Sequence, residues 1–450
     1  MQIIIVGCGK VGFTLAQTLS GENHDVSVID VSEEALSRLS SLDVSVIRGT
    51  GSSYRTLMEA GVDECDMLIA VTNRDEVNML CCVIAKKASG CRTIARVRSP
   101  EYYEEIDFLK DEMGLSLAIN PELTAANYIF HLIRCPSALD LNTFDRGRVY
   151  MPSLVIPEGS PWDGKNLIEI NGSISSPLLI SIVDRKQEVL IPDGHTVLHS
   201  GDRIYLLVPP EHLNRTLKEI GIRSRPITDV LIVGGGNIAY YLAQLLIRAR
   251  VHVTIVERNR DRCTQLAEQL PKANVICGDA SDEQVLLEEG LPRTDAFVAL
   301  TDMDEENIML SLFAHRTGDA KRIIKVNNTS FISVLSDIPV GSVVSPKNLT
   351  AEVILRYARA LRSSPDSEVD AVHRLAGGRV EALSFRIKGE SAVTGRTLAS
   401  MPIRRGILVA SIVREHEVLI PSGTDMLLPG DFVVIVTTHR GIDNIIKILE

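Results

Sequence analysis

Apolar positions in this chain fall into short runs separated by stretches of helical periodicity. Residues 3–6, all β-branched, form the first run and lead straight into the glycine turn GCGKVG at 7–12. Residues 13–19 then show the spacing of an amphipathic helix. A buried strand, a glycine turn and a helix start, in that order, open a dinucleotide-binding βαβ unit. In such a unit Gly7 permits the turn, Gly9 lets the backbone approach a pyrophosphate, and Gly12 lets the helix pack on the strand. Free N–H groups at the helix start would face the phosphate.

The alternation continues. DVSVID at 25–30 reads as a second strand ending in the carboxylate of Asp30, with further strands at 44–47, 67–71 and 92–97. Helical stretches at 33–42 and 76–89 lie between them, and Pro121 starts another helix that runs to about residue 132. Strands alternating with helices imply an α/β fold, a Rossmann-like doubly wound parallel sheet covered on both faces. From about 140 to 210 the texture changes to short strands and frequent turns, with one helix at 212–220, which is the pattern of a small α+β module. Residues 221–228, GIRSRPIT, read as a linker.

Then the opening recurs. DVLIVGGGNIA at 229–239 repeats the strand and turn, with Gly234, Gly236 and Ala239 standing for Gly7, Gly9 and Gly12. Glu257 ends the next apolar run, as Asp30 does, and residues 299–307 match 70–78. The turn-rich module recurs as well: LIPSG at 419–423 answers LIPDG at 190–194, and Gly430-Asp431 answers Gly201-Asp202. The spacing is roughly 227–231 residues throughout, so the chain is one two-domain unit duplicated in tandem. The expected boundaries are 1–136 and 228–362 for the nucleotide-type domains, and 140–225 and 370–450 for the small modules. Residues 363–370 serve as the linker inside the second copy.

Composition narrows the function. A chain of 450 residues has a prior of roughly three or four domains. A net charge of −11 argues against non-specific nucleic-acid binding. No apolar run approaches the roughly 18 residues needed to span a bilayer. The first residues enter a strand directly, so no signal peptide is expected. Eight cysteines without a CxxC spacing suggest neither a disulfide scaffold nor a zinc site, and reduced, cytoplasmic thiols are the default reading. Cys81 and Cys82 are expected to be small buried hydrophobes. Cys8 lies inside the glycine turn, where exposure in an empty cleft would allow a redox role.

The acid at the end of the second strand selects the ligand. Asp30 can accept hydrogen bonds from a ribose 2′-OH and would repel a 2′-phosphate, and the next arginine is only at Arg38. The first site should therefore prefer NAD(H), or another adenosine nucleotide with a free ribose. Glu257 does the same work in the second copy, where Arg258 follows it immediately. Between the copies Lys10 becomes Asn237, Arg74 becomes Met303, Arg98 becomes Asn327, Arg96 becomes Lys325, and Asn73 becomes Asp302. If two of the three lost cations reach phosphates, copy one is the tighter site for phosphate-rich ligands, because each charge-assisted bond contributes roughly 1.5–3 kcal/mol. Catalytic constellations are missing: there is no HExxH, GxSxG or P-loop lysine–serine pair. His195 and His199 read as loop residues, and the acids at 75–76 and 304–306 as solvated helix N-termini.

These features together carry a resemblance that spans essentially the whole chain. GCGKVG, Asp30, RGTGSSYRTLMEAGVDECDMLIAVTNRDEVNML and ARVRSPEYYEEI resemble the nucleotide-binding half of an RCK/KTN domain. LIPDG…SGDRIYLLV and LIPSG…PGDFVVIV resemble the companion RCK C-terminal (TrkA-C) domain. A tandem pair without transmembrane helices is similar to the peripheral, NAD-binding regulatory subunits of bacterial Trk potassium-uptake systems. That resemblance implies a homo-oligomeric ring, a tetramer, on the cytoplasmic face of the inner membrane. Its partner would be a separate integral-membrane potassium-translocating subunit. It implies NAD(H) as ligand, with ATP/ADP as competitor or effector, and no catalytic residue or metal. By position the first site would use Gly7, Cys8, Gly9, Lys10 and Val11 for phosphates and Asp30 for the ribose, with Thr72, Asn73, Arg74 and Arg98 lining the rest. The second would use Gly234, Gly235, Gly236, Asn237 and Ile238 with Glu257, Thr301 and Asp302. A cytosolic NAD-dependent oxidoreductase, and a gating ring of a potassium channel or antiporter, are the alternatives.

Overall fold

The computed structural model describes residues 1–174, 177–185, 188–222, 224–328, 335, 338–362, 367–415 and 417–450. Contacts divide the chain into two compact units, Met1–Ala126 with Ser345–Leu355, and Asn127–Val344 with Arg356–Glu450.

The first unit is built on a wholly parallel six-stranded sheet. Its strands are β1 (Gln2–Val6), β2 (Asp25–Asp30), β3 (Ser45–Arg48), β4 (Met67–Ala70), β5 (Arg92–Arg96) and β6 (Leu117–Ile119), in the order β3-β2-β1-β4-β5-β6. Strand β1 is central and fully buried after Gln2, which is why its sequence is an unbroken apolar run and does not alternate. The order reverses direction between β1 and β4, and their carboxyl ends are where a doubly wound sheet opens a ligand crevice. The helix Asp75–Ser89 presses Met79, Cys81, Cys82 and Ala85 onto this sheet. Cys81 and Cys82 are indeed fully buried.

The second unit holds three sheets. The parallel one has β12 (Asp229–Val233), β13 (His252–Glu257), β14 (Asn274–Cys277), β15 (Ala296–Ala299), β16 (Lys321–Lys325) and β17 (Ser342–Val344). Their order, β14-β13-β12-β15-β16-β17, repeats the first sheet strand for strand. The other two sheets are antiparallel and five-stranded. One comprises β7 (Asp140–Phe144), β8 (Val149–Val155), β9 (Leu179–Arg185), β10 (Glu188–Leu190) and β11 (Arg203–Leu207); the other comprises β18 (Ser367–Leu375), β19 (Val380–Ile387), β20 (Ile407–Arg414), β21 (Glu417–Leu419) and β22 (Phe432–Thr437). Read from one edge, β7-β8-β11-β9-β10 and β18-β19-β22-β20-β21 are the same topology. The two sheets share one core around Phe144, Tyr205, Leu375, Phe432 and Val434. Arg379 and Asp184 pair between them at 2.9 Å, and the Ala376 N–H donates to the Tyr205 hydroxyl. No helix among the described residues is long and apolar enough to cross a membrane.

Several expectations from the sequence need correction. The helix expected at 33–42 is only Glu33–Ser37, because the Ser37 hydroxyl turns back onto the Glu34 carbonyl and the chain enters a serine-rich turn. The segment expected as a linker at 363–370 is partly strand: Ser367 to Asp370 open β18, where Ser367 and Val369 are buried, while 363–366 lie outside the described residues. Strand β6 and the helices Pro100–Glu104 and Ile106–Met113 were not predicted: the first two are too short to show a period, and Ile106–Met113, although Ile106, Leu109 and Met113 pack one face on the core, is only about two turns long. His195 and His199 are exposed turn residues, as expected.

Each antiparallel module carries the same closing ion pair. Arg185 meets Asp202 through two hydrogen bonds of 2.7 and 2.6 Å, and Arg414 meets Asp431 through two of 2.9 and 2.8 Å. Burial by itself would raise the Asp202 carboxyl, but Arg185 and the His199 N–H outweigh it and hold the group below the ordinary range. A depressed folded-state pKa gives stability that is present above the unfolded value of about 3.9 and is lost as pH falls through the folded value. Arg185→Met is expected to destabilise the fold by about 2 kcal/mol at pH 7, less than for a fully buried pair because the arginine is partly solvated. The difference from the parent in urea melts should shrink as the pH is lowered below 4.

Candidate functional site

Each parallel sheet ends in the same constellation at the carboxyl edge of its central strands. Gly7 adopts φ +101° and Gly234 φ +93°, a left-handed geometry that a side chain would strain. Gly12 lies so close to the turn that an added Cβ would stand 1.8 Å from the Gly7 carbonyl oxygen. The second copy carries Ala239 at the equivalent position. Gly9 and Gly236 are different. Their backbones are ordinary, φ −69° and −66°, and an added Cβ would meet nothing within 4 Å. The fold does not need glycine at either position; what glycine leaves there is open space at a helix N-terminus.

The strand-end acids hold the turns in shape. Asp30 accepts from the Cys8 N–H at 2.5 Å and the Ser32 N–H at 2.8 Å. Glu257 accepts from the Gly235 N–H at 2.6 Å and the Asn259 N–H at 2.7 Å. Each carboxylate thus ties the turn to the start of the following helix, and Glu257 also lines the cleft of its copy.

An arginine completes each turn, and it was missed from sequence. Arg38 donates to the Cys8 carbonyl at 3.2 Å, and Arg262 donates to the Gly235 carbonyl at 2.7 Å. Cys8 and Gly235 are equivalent, but the arginines are not. At the spacing that pairs Asp30 with Glu257, Arg38 falls on Gln265 and Arg262 on Ala35. Repeat comparison therefore hides them.

On the far side of the cleft, two buried asparagines do the positioning. Asn78 accepts from the Thr72 N–H and hydroxyl at 2.8 and 2.7 Å and donates to the carbonyls of Thr72 and Arg96. Asn307 repeats this with Thr301 and Lys325. Of the acids expected as solvated helix starts, Glu76 and Glu305 are exposed as expected, but Asp75 and Asp304 are structural. Asp75 is buried and receives the N–H groups of Arg98 and Ser99; Asp304 is buried and receives those of Asn327 and Asn328. Their partners lie in the chain after β5 and β16, beyond the reach of local sequence reading.

In the second copy these elements enclose a cleft of about 350 Å³. It is lined by Gly234, Gly235, Gly236, Glu257, Thr301 and Asp302 from the expected set, joined by Arg258, Arg262, Asp279, Met303 and Glu306. Asn237 and Ile238 start the helix beside it, with Ile238 buried. In the first copy Lys10, Asn73 and Arg74 are exposed, Val11 is half-buried at the helix start, and the Thr72 hydroxyl contacts the Arg74 backbone. Arg98 is directed elsewhere, with its Nε 2.7 Å from Glu122. Arg96 donates to the Thr72 carbonyl, and burial, then Arg98, lower its pKa. In the second copy Lys325 reaches Asp302 at 3.3 Å instead. The rim changes from Arg74 to Met303, and the second cleft gains Asp302 and Glu306.

Cys8 is not the exposed thiol its position suggested. It is fully buried, and its Sγ donates to the Ala35 carbonyl at 3.2 Å. Burial and the neighbouring Asp30 raise its pKa, so it is poorly suited to redox chemistry. Among the described residues no three metal-ligating side chains come together.

Comparison with known proteins agrees with this architecture. The TrkA-N domain model matches residues 3–121 and 230–346, and the TrkA-C domain model matches 153–221 and 383–450. The chain is 31% identical to a Trk system potassium uptake protein TrkA homolog of Archaeoglobus fulgidus, covering all of both chains. It is 33% identical to the Trk system potassium uptake protein TrkA of Halomonas elongata, covering 97% of this chain and 95% of that one. Among solved structures, the GsuK channel bound to NAD superposes with a TM-score of 0.61 at 20% identity, over 98% of this chain and 77% of that one. The GsuK RCK domain gives 0.62 at 20% identity, over 98% and 93%. These likenesses show a shared fold. With both domain models matched twice and relatives aligned end to end, the chain belongs to the TrkA family, a tandem of TrkA-N and TrkA-C domains.

Proposed function

We propose that this protein is a nucleotide-sensing regulatory subunit of a potassium-uptake system, a ring-forming partner on the cytoplasmic face of a membrane potassium-translocating subunit. NAD(H) or ADP/ATP would bind at the glycine turns and bias the state of that partner. The observation that carries the reading is the open space at Gly9 and Gly236, kept in both copies where the fold itself would accept a side chain. The relatives' names supply potassium uptake, and the GsuK structures described as bound to NAD and to ADP supply the ligand class. In the first cleft the turn from Gly7 to Val11 would receive phosphate: the N–H groups of Gly7 and Cys8 are held by Ile29 and Asp30, so Gly9, Lys10 and Val11 would supply the donors, with Asp30 receiving the ribose and Thr72, Asn73 and Arg74 at the rim. Arg98, engaged with Glu122, would contribute only on rearranging. In the second, Gly234, Gly235, Gly236, Asn237, Ile238, Glu257, Thr301 and Asp302 take the same places. We place the four modules at 1–136, 140–225, 228–362 and 367–450, the last starting three residues earlier than the sequence suggested because β18 opens at Ser367.

A regulator requires differential binding, not bond-making, and a few kcal/mol between two states is enough to switch a partner. We infer binding without turnover from the relatives, which are named for potassium uptake and not for a reaction. A steady loss of NADH absorbance with candidate substrates would instead favour the oxidoreductase reading. Co-purification with a potassium transporter, and failure of a deletion strain to grow at limiting potassium, test the partner.

Two outcomes test the clefts. Gly9→Asp and Gly236→Asp place a carboxylate where phosphate would lie, without backbone strain. Each variant should fold with an unchanged melting temperature and weaken nucleotide binding at its own cleft by at least about tenfold in calorimetric titration. Retained affinity in both would remove the glycine turns from the site. With one cleft blocked, the other can be titrated alone: the first should bind NADH and ATP about tenfold more tightly than the second, the equivalent of one charge-assisted bond. Adding Met303→Arg to Gly9→Asp should recover part of that difference, and tighter binding by the unmodified second cleft would contradict the charge argument.

A further inference from the structure

The eight cysteines are all free, and Cys277 is the one that is exposed. It ends β14, in register with Glu257 on β13, and is followed by Gly278 at the cleft wall. Cys263 lies in the next helix back, Arg260–Gln269, buried, with its Sγ donating to the Glu257 carbonyl at 3.2 Å. Its thiol therefore sits against the residue directly across the sheet from Cys277, and adjacent strands are only about 4.8 Å apart. Burial, then the Cys277 sulfur beside it, push Cys263 up to about 11. An exposed thiol backed by a buried neighbour has the form of an attacking and a resolving cysteine. With no third metal-ligating group among the described residues, the pair is a dithiol and not a metal site.

We propose that Cys277 and Cys263 form a thiol–disulfide exchange site for small disulfides of the glutathione-disulfide class, placed to act on the second nucleotide cleft. The Cys277 thiolate attacks one sulfur of R–S–S–R, giving a Cys277–S–S–R mixed disulfide and releasing RS⁻. The Cys263 thiolate then attacks the Cys277 sulfur, closing the Cys263–Cys277 disulfide and releasing the second RS⁻. The two protein protons end on the two released thiols, RSH. The protein dithiol is oxidised by two electrons and the small disulfide is reduced by two. Closure ties the end of β14 to the helix whose Arg262 donates to the Gly235 carbonyl. The effect on the cleft rests on the nucleotide reading above; the exchange chemistry does not.

The test treats the full chain with glutathione disulfide and follows it by non-reducing peptide mapping and by hydrogen exchange. The expected course is an adduct on Cys277, then a 263–277 linkage with loss of the adduct, and slower exchange across residues 260–269. Cys263→Ser should stop at the adduct, and Cys277→Ser should form neither product. An adduct that never resolves in the parent chain, or a linkage between two of the other, buried cysteines in its place, overturns the proposal. Titration with ADP before and after oxidation separates the two claims. A change of at least threefold, absent in Cys277→Ser, supports action on the cleft. An unchanged affinity despite a mapped linkage overturns that action, whereas failure of ADP to bind even the reduced chain counts against the nucleotide reading itself.

Discussion

Everything in this site depends on a carboxylate accepting backbone N–H groups at the end of a parallel strand. A glycine turn is flexible by nature, and its N–H groups would otherwise be lost to water. Asp30 ties Cys8 to Ser32, and Glu257 ties Gly235 to Asn259, so strand, turn and next helix move as one piece. A charge-assisted hydrogen bond is roughly twice as strong as a neutral one, which makes these short contacts the stiffest links at the cleft. The arginine on each turn carbonyl opposes the collected negative charge and fixes the other face of the same peptide group.

The opposite wall is built on the same logic with a neutral side chain. Asn78 and Asn307 each satisfy a threonine and the carbonyl at the end of the neighbouring strand, so the wall is rigid without adding charge. Charge is left to the rim, where the copies diverge. Lys10, Asn73 and Arg74 are exposed in the first copy, while Met303 and Asp302 line the cleft of the second, and Lys325 reaches Asp302. Duplication has kept the frame and varied the electrostatics at the rim.

Much of this was legible in the sequence, and the physical reasons for the rest are specific. The repeat, both parallel sheets, the turn glycines and the strand-end acids follow from local periodicity and spacing. The pairing of Asp75 with the N–H groups of Arg98 and Ser99 does not, because it joins residues over twenty positions apart through a loop of no fixed pattern. Arg38 and Arg262 escaped notice because the two copies solve one problem from different helix positions. Cys8 misled for the opposite reason: a turn residue looks exposed in sequence, yet its side chain points away from the cleft, into the packing against Ala35.

The most direct measurement is a structure of the full chain with NADH bound. The account predicts density in the first cleft, with the pyrophosphate over Gly9, Lys10 and Val11 and the adenosine ribose on Asp30, at a concentration where the second cleft is empty or less filled. NADH bound away from both glycine turns, or filling the second cleft first, would contradict it.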